Sequence, residues 1–458
     1  MKLIHALIIT TFGCSVSRAV TTATPKECFA TTEDRIKNLQ PCSTTTDSQE
    51  TWTLNLDCEP LQAIDGFGAA WTDATTFLFD QLSESDQDKL MTDLFTTKGI
   101  GMEFMRMTIG QSDLTPDSRW SFDENDGLPD KDLSNWSLTE QGERMRKWIL
   151  RMGDYNPDIL LLGSQWSPPG WMKQNNNLRW EFRDSYVQYF VNFLQAYITV
   201  GIELDAITLQ NEPLHTAPLS GEAWTMFMDS EYAAILSNAT FEAIRREGLS
   251  TKIWAYDHNT DHPEYPQYVM DNSPSVDTVA WHCYGGGFSP LKDFAAANPG
   301  VKQYMTECWL HETSGEGFFD LPQFIMRPIQ NGASGSLAWT LAGSVDLDVS
   351  YPGGCEQCTG IVQVNQKVAD YELTGDYYKL GQFSKFVRKG ARYLHVDGDY
   401  VWDDGTGVES AAFVNTDGST VIVIMNKFQD DLTVTLGGVD GGDVVGVVQG
   451  RSVTTWLL

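Results

Sequence analysis

Basic residues are scarce in this 458-residue chain, which has 31 Lys and Arg against 62 Asp and Glu and a formal net charge of −31. Such an acidic balance argues against nucleic acids, heparin-like chains and other polyanions as partners, because like charges repel. Beyond its first residues the chain also lacks any run approaching the roughly 20 apolar residues that a membrane span needs. A Gly-rich phosphate loop and a convincing nucleophilic serine elbow are missing too, so the usual signatures of phosphoryl transfer and of serine hydrolases are absent.

The first residues have the pattern of a secretory signal peptide. Lys2 gives a positive start, residues 3–12 are apolar, and residues 17–19 offer small side chains for cleavage. We therefore expect residues 1–19 to be removed and the protein to be secreted into the extracellular space. Loss of Lys2 and Arg18 would change the net charge from −31 to −33. An apolar N-terminal strand is the alternative interpretation.

The eight cysteines fall to seven once Cys14 leaves with the signal peptide. Secretion permits disulfides, but an odd number leaves at least one thiol free or intermolecular. Cys355 and Cys358 lie in a Gly-rich loop, where a structural staple fits better than a redox pair. Cys308 is interpreted as a small buried residue rather than a reactive one. Two glycosylation sequons in polar surroundings begin at Asn135 and Asn238.

Short apolar segments alternate with amphipathic helical stretches through the middle of the chain. The segments are apolar on both faces and bounded by turn residues, which is typical of buried parallel strands. We predict strands over residues 64–67, 102–107, 158–164, 205–209, 252–256, 278–283, 302–305 and 336–341. We predict helices over residues 139–152, 181–198 and 231–247. Eight strands with intervening helices predict an α/β fold of the (β/α)8 TIM-barrel type.

The two ends of the chain have a different pattern. Short β-branched segments separated by Gly, Asp and Asn cover residues 410–414, 420–425, 433–436 and 444–448, and residues 52–56 alternate between apolar and polar side chains. Both patterns are typical of antiparallel strands. We predict a catalytic barrel over residues 64–382 and a side β-sandwich to which residues 20–63 and 383–458 both contribute.

Two glutamates lie at the carboxyl ends of predicted strands. Glu212 ends the fourth strand between Asn211 and Pro213, and the proline keeps it out of helical geometry. Glu307 ends the seventh strand. Barrel enzymes carry their chemistry at these strand ends, and two carboxyl groups facing one cleft can cleave a glycosidic bond. The alternatives are a helix cap for Glu212 and a core ion pair with Arg106 for Glu307.

Aromatic residues crowd the same strand ends, namely Trp166, Trp171, Trp281, Tyr284, Trp309 and Trp339. Rings stack on the apolar faces of sugars, so the group favours a saccharide cleft, although each ring alone also fits core packing. After the first strand, residues 65–73 contain glycines that allow close backbone approach, and Asp73 offers a carboxylate for hydroxyl groups. An ordinary strand-to-helix turn is the alternative there.

Histidines raise the question of a metal site. His258 and His262 are four residues apart, but Pro263 follows at once, so the helical spacing of a metal-binding pair is not credible. We expect no metal and no other cofactor. His258 and His282 are interpreted as hydrogen-bond donors in the cleft.

Taken together, these motifs resemble glycoside hydrolase family 30, which includes lysosomal glucosylceramidase and fungal endo-β-1,6-glucanases. The resemblance covers nearly the whole mature chain and rests on residues 65–74, 211–213, 282–284, 307 and 381–386. It implies a barrel with a side sandwich and a retaining mechanism in which Glu212 is the acid/base and Glu307 the nucleophile. It also implies that the subsite for the non-reducing glucose is lined by Asp73, Arg106, Trp166, Asn211, His282, Tyr284 and Trp339.

Within the family, residues 254–261, 278–284 and 302–309 are more similar to the fungal β-1,6-glucanases. In glucosylceramidases a tryptophan usually follows the histidine, where this chain has Cys283. The resemblance thus implies a secreted endo-β-1,6-glucanase, expected to be a monomer, that acts on a neutral β-glucan such as pustulan or fungal cell-wall glucan. The alternatives are a glucosylceramidase or β-glucosidase of the same family, and a non-catalytic glucan-binding protein.

Overall fold

The computed structural model describes residues 22–45, 50–166, 168–215, 226–309, 316–439 and 442–458. The predicted signal peptide lies outside these residues. Among the helices in the described ranges, none has the length and apolar character needed to cross a membrane.

Eight parallel strands close into a barrel in the middle of the chain. Up to the end of the barrel the strands are β1 (Glu27–Thr32), β2 (Gln40–Pro41), β3 (Thr51–Ala63), β4 (Gly66–Trp71), β5 (Phe104–Ile109), β6 (Leu160–Gln165), β7 (Lys173–Gln174), β8 (Asn177–Leu178), β9 (Ala206–Thr208), β10 (Lys252–Asn259), β11 (Thr278–His282), β12 (Lys302–Glu307) and β13 (Gly335–Ala338). The barrel runs in the order β4, β5, β6, β9, β10, β11, β12, β13 and back to β4. The predicted (β/α)8 barrel is confirmed, and each predicted strand overlaps an observed one.

Helices connect the barrel strands and cover their outer face. The α-helices in the described part of the chain are α1 (Asp73–Asp80), α2 (Glu84–Phe95), α3 (Thr139–Tyr155), α4 (Arg183–Ile198), α5 (Ser230–Arg246), α6 (Glu264–Asn272), α7 (Ser289–Ala297), α8 (Asp320–Gln330) and α9 (Gly375–Ser384). The three predicted helices correspond to α3, α4 and α5. In α3, Met145, Trp148, Ile149 and Met152 are buried at the predicted three- and four-residue spacing.

Inside the barrel, one layer of side chains is apolar and the layer above it is polar. The apolar layer consists of Phe104, Leu162, Ala206, Trp254, Ala280, Tyr304 and Leu337. Side chains along a strand return to the same face every second residue, so the next inward positions include Arg106, Ser164, Thr208, His282 and Thr306, all buried. The apolar layer fills the barrel and supports a polar layer at the carboxyl ends of the strands.

Strands from both chain ends build one ten-stranded sheet beside the barrel. The remaining strands are β14 (Ala342–Ser344), β15 (Val362–Asn365), β16 (Asp370–Leu373), β17 (Arg392–Asp397), β18 (Tyr400–Val401), β19 (Gly407–Val414), β20 (Thr420–Asn426), β21 (Leu432–Gly437), β22 (Val444–Val448) and β23 (Ser452–Leu457). β1 pairs with β23, and β3 lies between β17 and β21. The sheet encloses an apolar core that includes Leu54, Ile422, Val434 and Trp456. The predicted contribution of both termini to the sandwich is confirmed. The prediction of antiparallel strands is wrong for one pair, because β3 and β21 run parallel.

Candidate active site

A cavity of about 290 Å³ opens at the carboxyl ends of the barrel strands. Eight residues that the sequence assigned to the site line it: Trp166, Asn211, Glu212, His258, Tyr284, Glu307, Trp309 and Trp339. Five further residues complete the lining: Asp113, His215, Asn259, Cys355 and Cys358. The fold therefore brings both predicted glutamates to one cavity, although many residues separate them in the chain.

Glu212 lies just beyond the short strand β9, in a strained backbone conformation. Its φ is +46°, a region that non-glycine residues seldom adopt. Its N–H donates to the carbonyl oxygen of Asp257 at 3.0 Å, which holds this turn. The side chain is 14% exposed, and its Oε1 lies 3.1 Å from Nδ1 of His282 and 3.7 Å from Nδ1 of His258. Backbone strain of this kind is common where a fold fixes a functional side chain.

Glu307 ends β12 and is held from two sides. Its Oε2 accepts from Nη1 of Arg106 at 2.6 Å, and its Oε1 accepts from the hydroxyl of Tyr284 at 3.0 Å. Nδ1 of His282 lies 3.9 Å from Glu307 Oε1 and 3.1 Å from Glu212 Oε1. These two oxygens are therefore at most 3.1 + 3.9 = 7.0 Å apart. Retaining glycosidases have their carboxyl groups about 5–5.5 Å apart and inverting ones roughly 6.5–9.5 Å apart, so this bound is compatible with the retaining geometry and excludes most of the inverting range.

Arg106 lies beneath the cavity and is completely buried. Besides Glu307, its guanidinium donates to Oδ1 of Asn211 and Oδ2 of Asp257, both at 2.7 Å. Its Cζ lies 4.4 Å from the ring centroid of Trp166. One rigid cation thus fixes the nucleophile candidate, the asparagine beside Glu212 and a buried aspartate. The ion pair with Glu307 that the sequence offered as an alternative is present inside the site.

Asp257 is a central residue that the sequence analysis quoted in a motif but gave no role. A register shift in β10 between Tyr256 and His258, with φ values of +80° at Tyr256 and +61° at Asp257, turns this carboxylate into the barrel. It accepts hydrogen bonds from five side chains: Arg106, Ser164, Thr208, His282 and Thr306. Burial raises the pKa of Asp257, but Arg106 and His282 outweigh burial and hold the pKa well below its ordinary value. In the sequence, its position as an acidic residue within an otherwise apolar strand could have indicated that Asp257 has a role in the site.

His282 carries a positive charge between the carboxylates. Burial lowers its pKa, but Glu307, Asp257 and Glu212 outweigh burial and raise the pKa to about 9. Burial raises the pKa of Glu212, yet the contacts of His258 and His282 reverse that effect and hold the pKa below its ordinary value. Burial raises the pKa of Glu307, and His282 and Arg106 offset only part of the rise. The charge of His282 thus lowers the pKa of both glutamates.

The aromatic residues divide between the cavity and the core. Trp166 and Trp339 stack on each other with ring centroids 5.1 Å apart, and with Trp309 and Tyr284 they line the cavity. Trp171 and Trp281 are buried, and their indole nitrogens donate within the protein, to the carbonyl oxygen of Asp123 and to the Gln303 side chain. The saccharide-cleft interpretation therefore fits four of the six rings, and core packing fits the other two.

The structure does not bring Asp73 to the cavity. This residue begins α1 and is 1% exposed, and its Oδ2 accepts from the hydroxyl of Thr115 at 2.5 Å and from the indole of Trp120 at 3.3 Å. Burial raises its pKa to about 7. The alternative interpretation, a residue of the strand-to-helix turn, describes its position.

Asp113 is a carboxylate in the cavity wall that the sequence analysis missed. Its Oδ2 accepts from the backbone N–H of Cys355 at 3.0 Å, while its buried Oδ1 has no hydrogen-bond partner among the described residues. Burial raises its pKa to about 7, and the charge of Glu307 adds to the rise. Asp113 lies four residues after β5, so its place in a loop at the catalytic end of the barrel was the available signal.

Glu212, His258 and His282 offer one potential metal-ligand atom each, all within 4.8 Å of one another. Both ring nitrogens of His282 face carboxylates, and its raised pKa keeps it protonated at neutral pH. A protonated imidazole has no lone pair for a metal. The chemistry of this set therefore suits proton transfer better than metal binding, and the absence of a cofactor stays a prediction.

Three disulfides are found among the described residues: Cys28–Cys42, Cys283–Cys308 and Cys355–Cys358. The predicted staple in the Gly-rich loop is thus present and lines the cavity. Cys308 is buried as expected, and it bridges β12 to the end of β11.

Of the two sequons, Asn135 is exposed on a loop, whereas Asn238 lies half-buried in α5 with its amide bonded to the backbone of Asn272.

Comparisons with known proteins agree with this geometry. The sequence profile of the glycosyl hydrolase family 30 TIM-barrel domain matches residues 64–233, and that of the family 30 beta sandwich domain matches residues 390–456. An endo-1,6-beta-D-glucanase of Neurospora crassa is 41% identical over 430 residues, which are 90% of this chain and 89% of that protein. Mouse lysosomal acid glucosylceramidase is 26% identical over 86% of this chain and 81% of its own length.

A solved endo-beta1,6-glucanase structure superimposes with a TM-score of 0.83 at 26% identity, covering 94% of this chain and 98% of that one. The match extends over the barrel and the sandwich alike. Two family profiles and a 41% identical relative, together with the paired carboxylates at the barrel mouth, lead to one conclusion. The chain belongs to glycoside hydrolase family 30.

Proposed function

We propose that the protein is a secreted endo-β-1,6-glucanase that hydrolyses β-1,6-linked glucan with retention of configuration. One observation carries the proposal: Glu212 and Glu307 meet at a single imidazole nitrogen, 3.1 and 3.9 Å away, at the mouth of the barrel. The relative at 41% identity and the solved structure with a TM-score of 0.83 are both named as β-1,6-glucanases, which supports this linkage.

In the proposed mechanism, Glu307 attacks the anomeric carbon and forms a glycosyl-enzyme. The hydrogen bonds from Arg106 and Tyr284 hold its carboxylate in place and favour its ionised form. Glu212 protonates the departing glycosidic oxygen. The imidazoles of His258 and His282, whose Nδ1 atoms lie 3.7 and 3.1 Å from its Oε1, lower the pKa of Glu212 and so set the pH below which it holds this proton. In the second step Glu212 acts as the base that activates water.

The remaining site residues are proposed to bind the sugar in the cavity. Trp166 and Trp339 form a stacked aromatic wall, and Asn211 lies beside the acid/base. Asp113, which replaces Asp73 in this proposal, offers a buried oxygen to sugar hydroxyls. In this proposal His282 contributes its positive charge, which lowers the pKa of both glutamates.

We further propose secretion into the extracellular space after removal of residues 1–19, a monomeric state, and domain limits of 64–382 for the barrel and 383–458 for the C-terminal part of the sandwich. The scarcity of basic residues fits a neutral polysaccharide substrate. Accessible Asn135 is the preferred glycosylation site of the two sequons.

Incubation with pustulan, laminarin, cellulose, xylan and a glucosylceramide tests the proposal. We expect oligosaccharides of several lengths from pustulan and little product from the other substrates. Glucose as the sole early product from pustulan would indicate an exo-acting β-glucosidase instead. Cleavage of the glucosylceramide alone would indicate a glucosylceramidase. Binding of pustulan without cleavage would favour a non-catalytic glucan-binding protein.

A further inference from the structure

Four aromatic residues form a cluster on the surface of the β-sandwich: Trp52, Tyr400, Trp402 and Phe428. The ring centroid of Trp402 lies 4.8 Å from that of Tyr400 and 5.7 Å from those of Trp52 and Phe428. Despite these contacts, Trp402 is 44% exposed and Tyr400 is 56% exposed. The described residues that line the catalytic cavity include none of these four. We call this group the aromatic cluster.

A polar groove of about 410 Å³ adjoins the aromatic cluster where the end of α8 meets β17, β18 and β19. Tyr400 belongs to both features. Asn331 lines the barrel side of the groove, and His395 and Asp397 line the sandwich side. Nε2 of His395 lies 3.2 Å from Asp397, and the two side chains are 51% and 76% exposed. Flat exposed rings thus stand beside amide, imidazole and carboxylate groups.

This combination indicates a class of ligand. Large exposed rings at a single site mark a binding surface, because their apolar area is costly to leave in water. Rings stack on the CH faces of sugars, and neighbouring polar groups can bond the hydroxyls. Asp397 and the net charge of −31 disfavour anions, and the polar groove walls disfavour a lipid. A neutral saccharide chain satisfies both the rings and the groove.

We propose that the aromatic cluster and the adjoining groove form a second, non-catalytic binding site for the β-glucan chain. This inference rests on the proposed function for the identity of the polysaccharide. A long polymer that engages both sites keeps the catalytic cleft at a raised effective concentration of substrate. A short oligosaccharide cannot span both sites, so its hydrolysis does not depend on the cluster.

Affinity electrophoresis in gels that contain pustulan tests the site. Every protein carries Glu307→Gln so that the glucan is not consumed, and binding at the catalytic cleft is common to all of them. We expect Trp402→Ala and Tyr400→Ala each to weaken retardation by pustulan about two- to tenfold, the range for one aromatic contact. Tyr268→Ala is the matched control, because Tyr268 is 41% exposed on α6, away from the cluster. We expect it to migrate like the parent.

In the active background, we expect the two cluster variants to hydrolyse long pustulan more slowly while their kcat/KM on a short soluble β-1,6-gluco-oligosaccharide stays unchanged. If the cluster variants are retarded as strongly as the parent and unfold at the same temperature, the proposal of a second glucan-binding site is wrong. Binding to the cationic polysaccharide chitosan that the cluster substitutions weaken more than they weaken binding to pustulan, or a dimer in sedimentation velocity that both substitutions dissolve, would assign the cluster to another occupant. If the unsubstituted enzyme cleaves no β-1,6-glucan, the proposed function fails, while the gel assay still decides whether the cluster binds glucan.

Discussion

Nε2 of His282 lies 3.0 Å from Oδ1 of Asp257, and neither side chain is exposed to solvent. The aspartate fixes the orientation of the imidazole ring and directs the second nitrogen towards the two glutamates. It also helps to raise the pKa of His282 to about 9. The site is therefore organised around one buried positive charge whose removal affects both steps of the proposed reaction.

The first prediction follows from that charge. His282→Asn removes an imidazolium that lowers the pKa of both Glu212 and Glu307, so both pKa values rise. The nucleophile then ionises at higher pH, and the acid keeps its proton to higher pH. We expect both limbs of the kcat/KM against pH curve to move upward, by about one pH unit or more. The control His395→Asn alters an exposed histidine on the sandwich and leaves the curve in place when both variants are assayed on a short soluble β-1,6-gluco-oligosaccharide, which cannot span the second binding site. An unchanged or downward-shifted curve contradicts this role.

The second prediction separates the two glutamates. Substituting either one should lower pustulan hydrolysis by at least about 10²-fold, the contribution of a positioned acid or base. With an activated aryl glucoside and added azide, Glu212→Ala should give the β-glucosyl azide, because the covalent intermediate still forms. Glu307→Ala should give the α-azide, because azide attacks from the vacated face. Product analysis by NMR checks both results, and exchanged products would reverse the two roles.

A third prediction concerns the stability of the buried network. Arg106→Met leaves Asp257 and Glu307 without their cation, and breaking a buried pair in this way costs roughly 3–5 kcal/mol of unfolding free energy. Denaturant unfolding measures the loss. Arg183→Met is the control, because Arg183 and Asp184 form a pair with side chains 43% and 90% exposed. That pair should contribute at most about 1 kcal/mol. Equal losses in the two variants would show that the network contributes no more than a surface pair.

The fourth prediction uses Asp73 to test its placement. The pKa of Asp73 in the folded protein is about 7, above the ordinary value of 3.8. Its protonated form therefore contributes its whole stabilisation below pH 3.8, and this contribution is lost as the pH rises towards 7. Asp73→Asn mimics the protonated form. Its unfolding free energy should equal that of the parent near pH 4 and exceed it by up to about 4 kcal/mol above pH 7.

Kinetics complete the Asp73 test. Because the residue lies outside the cavity, Asp73→Asn should leave KM for pustulan unchanged. A large increase in KM would restore the substrate-binding role that the family resemblance implied. Asp154→Asn, on the exposed face of α3, is the matched control for both measurements and should alter neither.

Much of this architecture was readable from local patterns. The barrel strands could be predicted because a strand that is buried on both faces needs a continuous apolar run, and the helices because one buried face requires a 3.6-residue period. Glu212 and Glu307 could be identified because a carboxylate at the end of an apolar strand is costly unless it has a function. The β-branched segments at both ends likewise indicated the sandwich.

Other features depended on backbone geometry that periodicity does not encode. The register shift in β10 turns Asp257 inward, and simple alternation would have turned Tyr256 inward instead. Asp73 and Asp113 both follow barrel strands, and the sequence favoured the first. Only the packed structure shows that Asp73 is enclosed by Thr115 and Trp120, whereas Asp113 reaches the cavity.

The sequence by itself determined the barrel, the two-ended sandwich and the pair of glutamates, because each follows from the burial pattern of neighbouring residues. Only the tertiary structure decided which side chains surround those glutamates and what charge they carry. The reason is physical: a pKa depends on distances of a few ångströms, and here those distances join residues from separate strands, such as Arg106, Asp257 and His282.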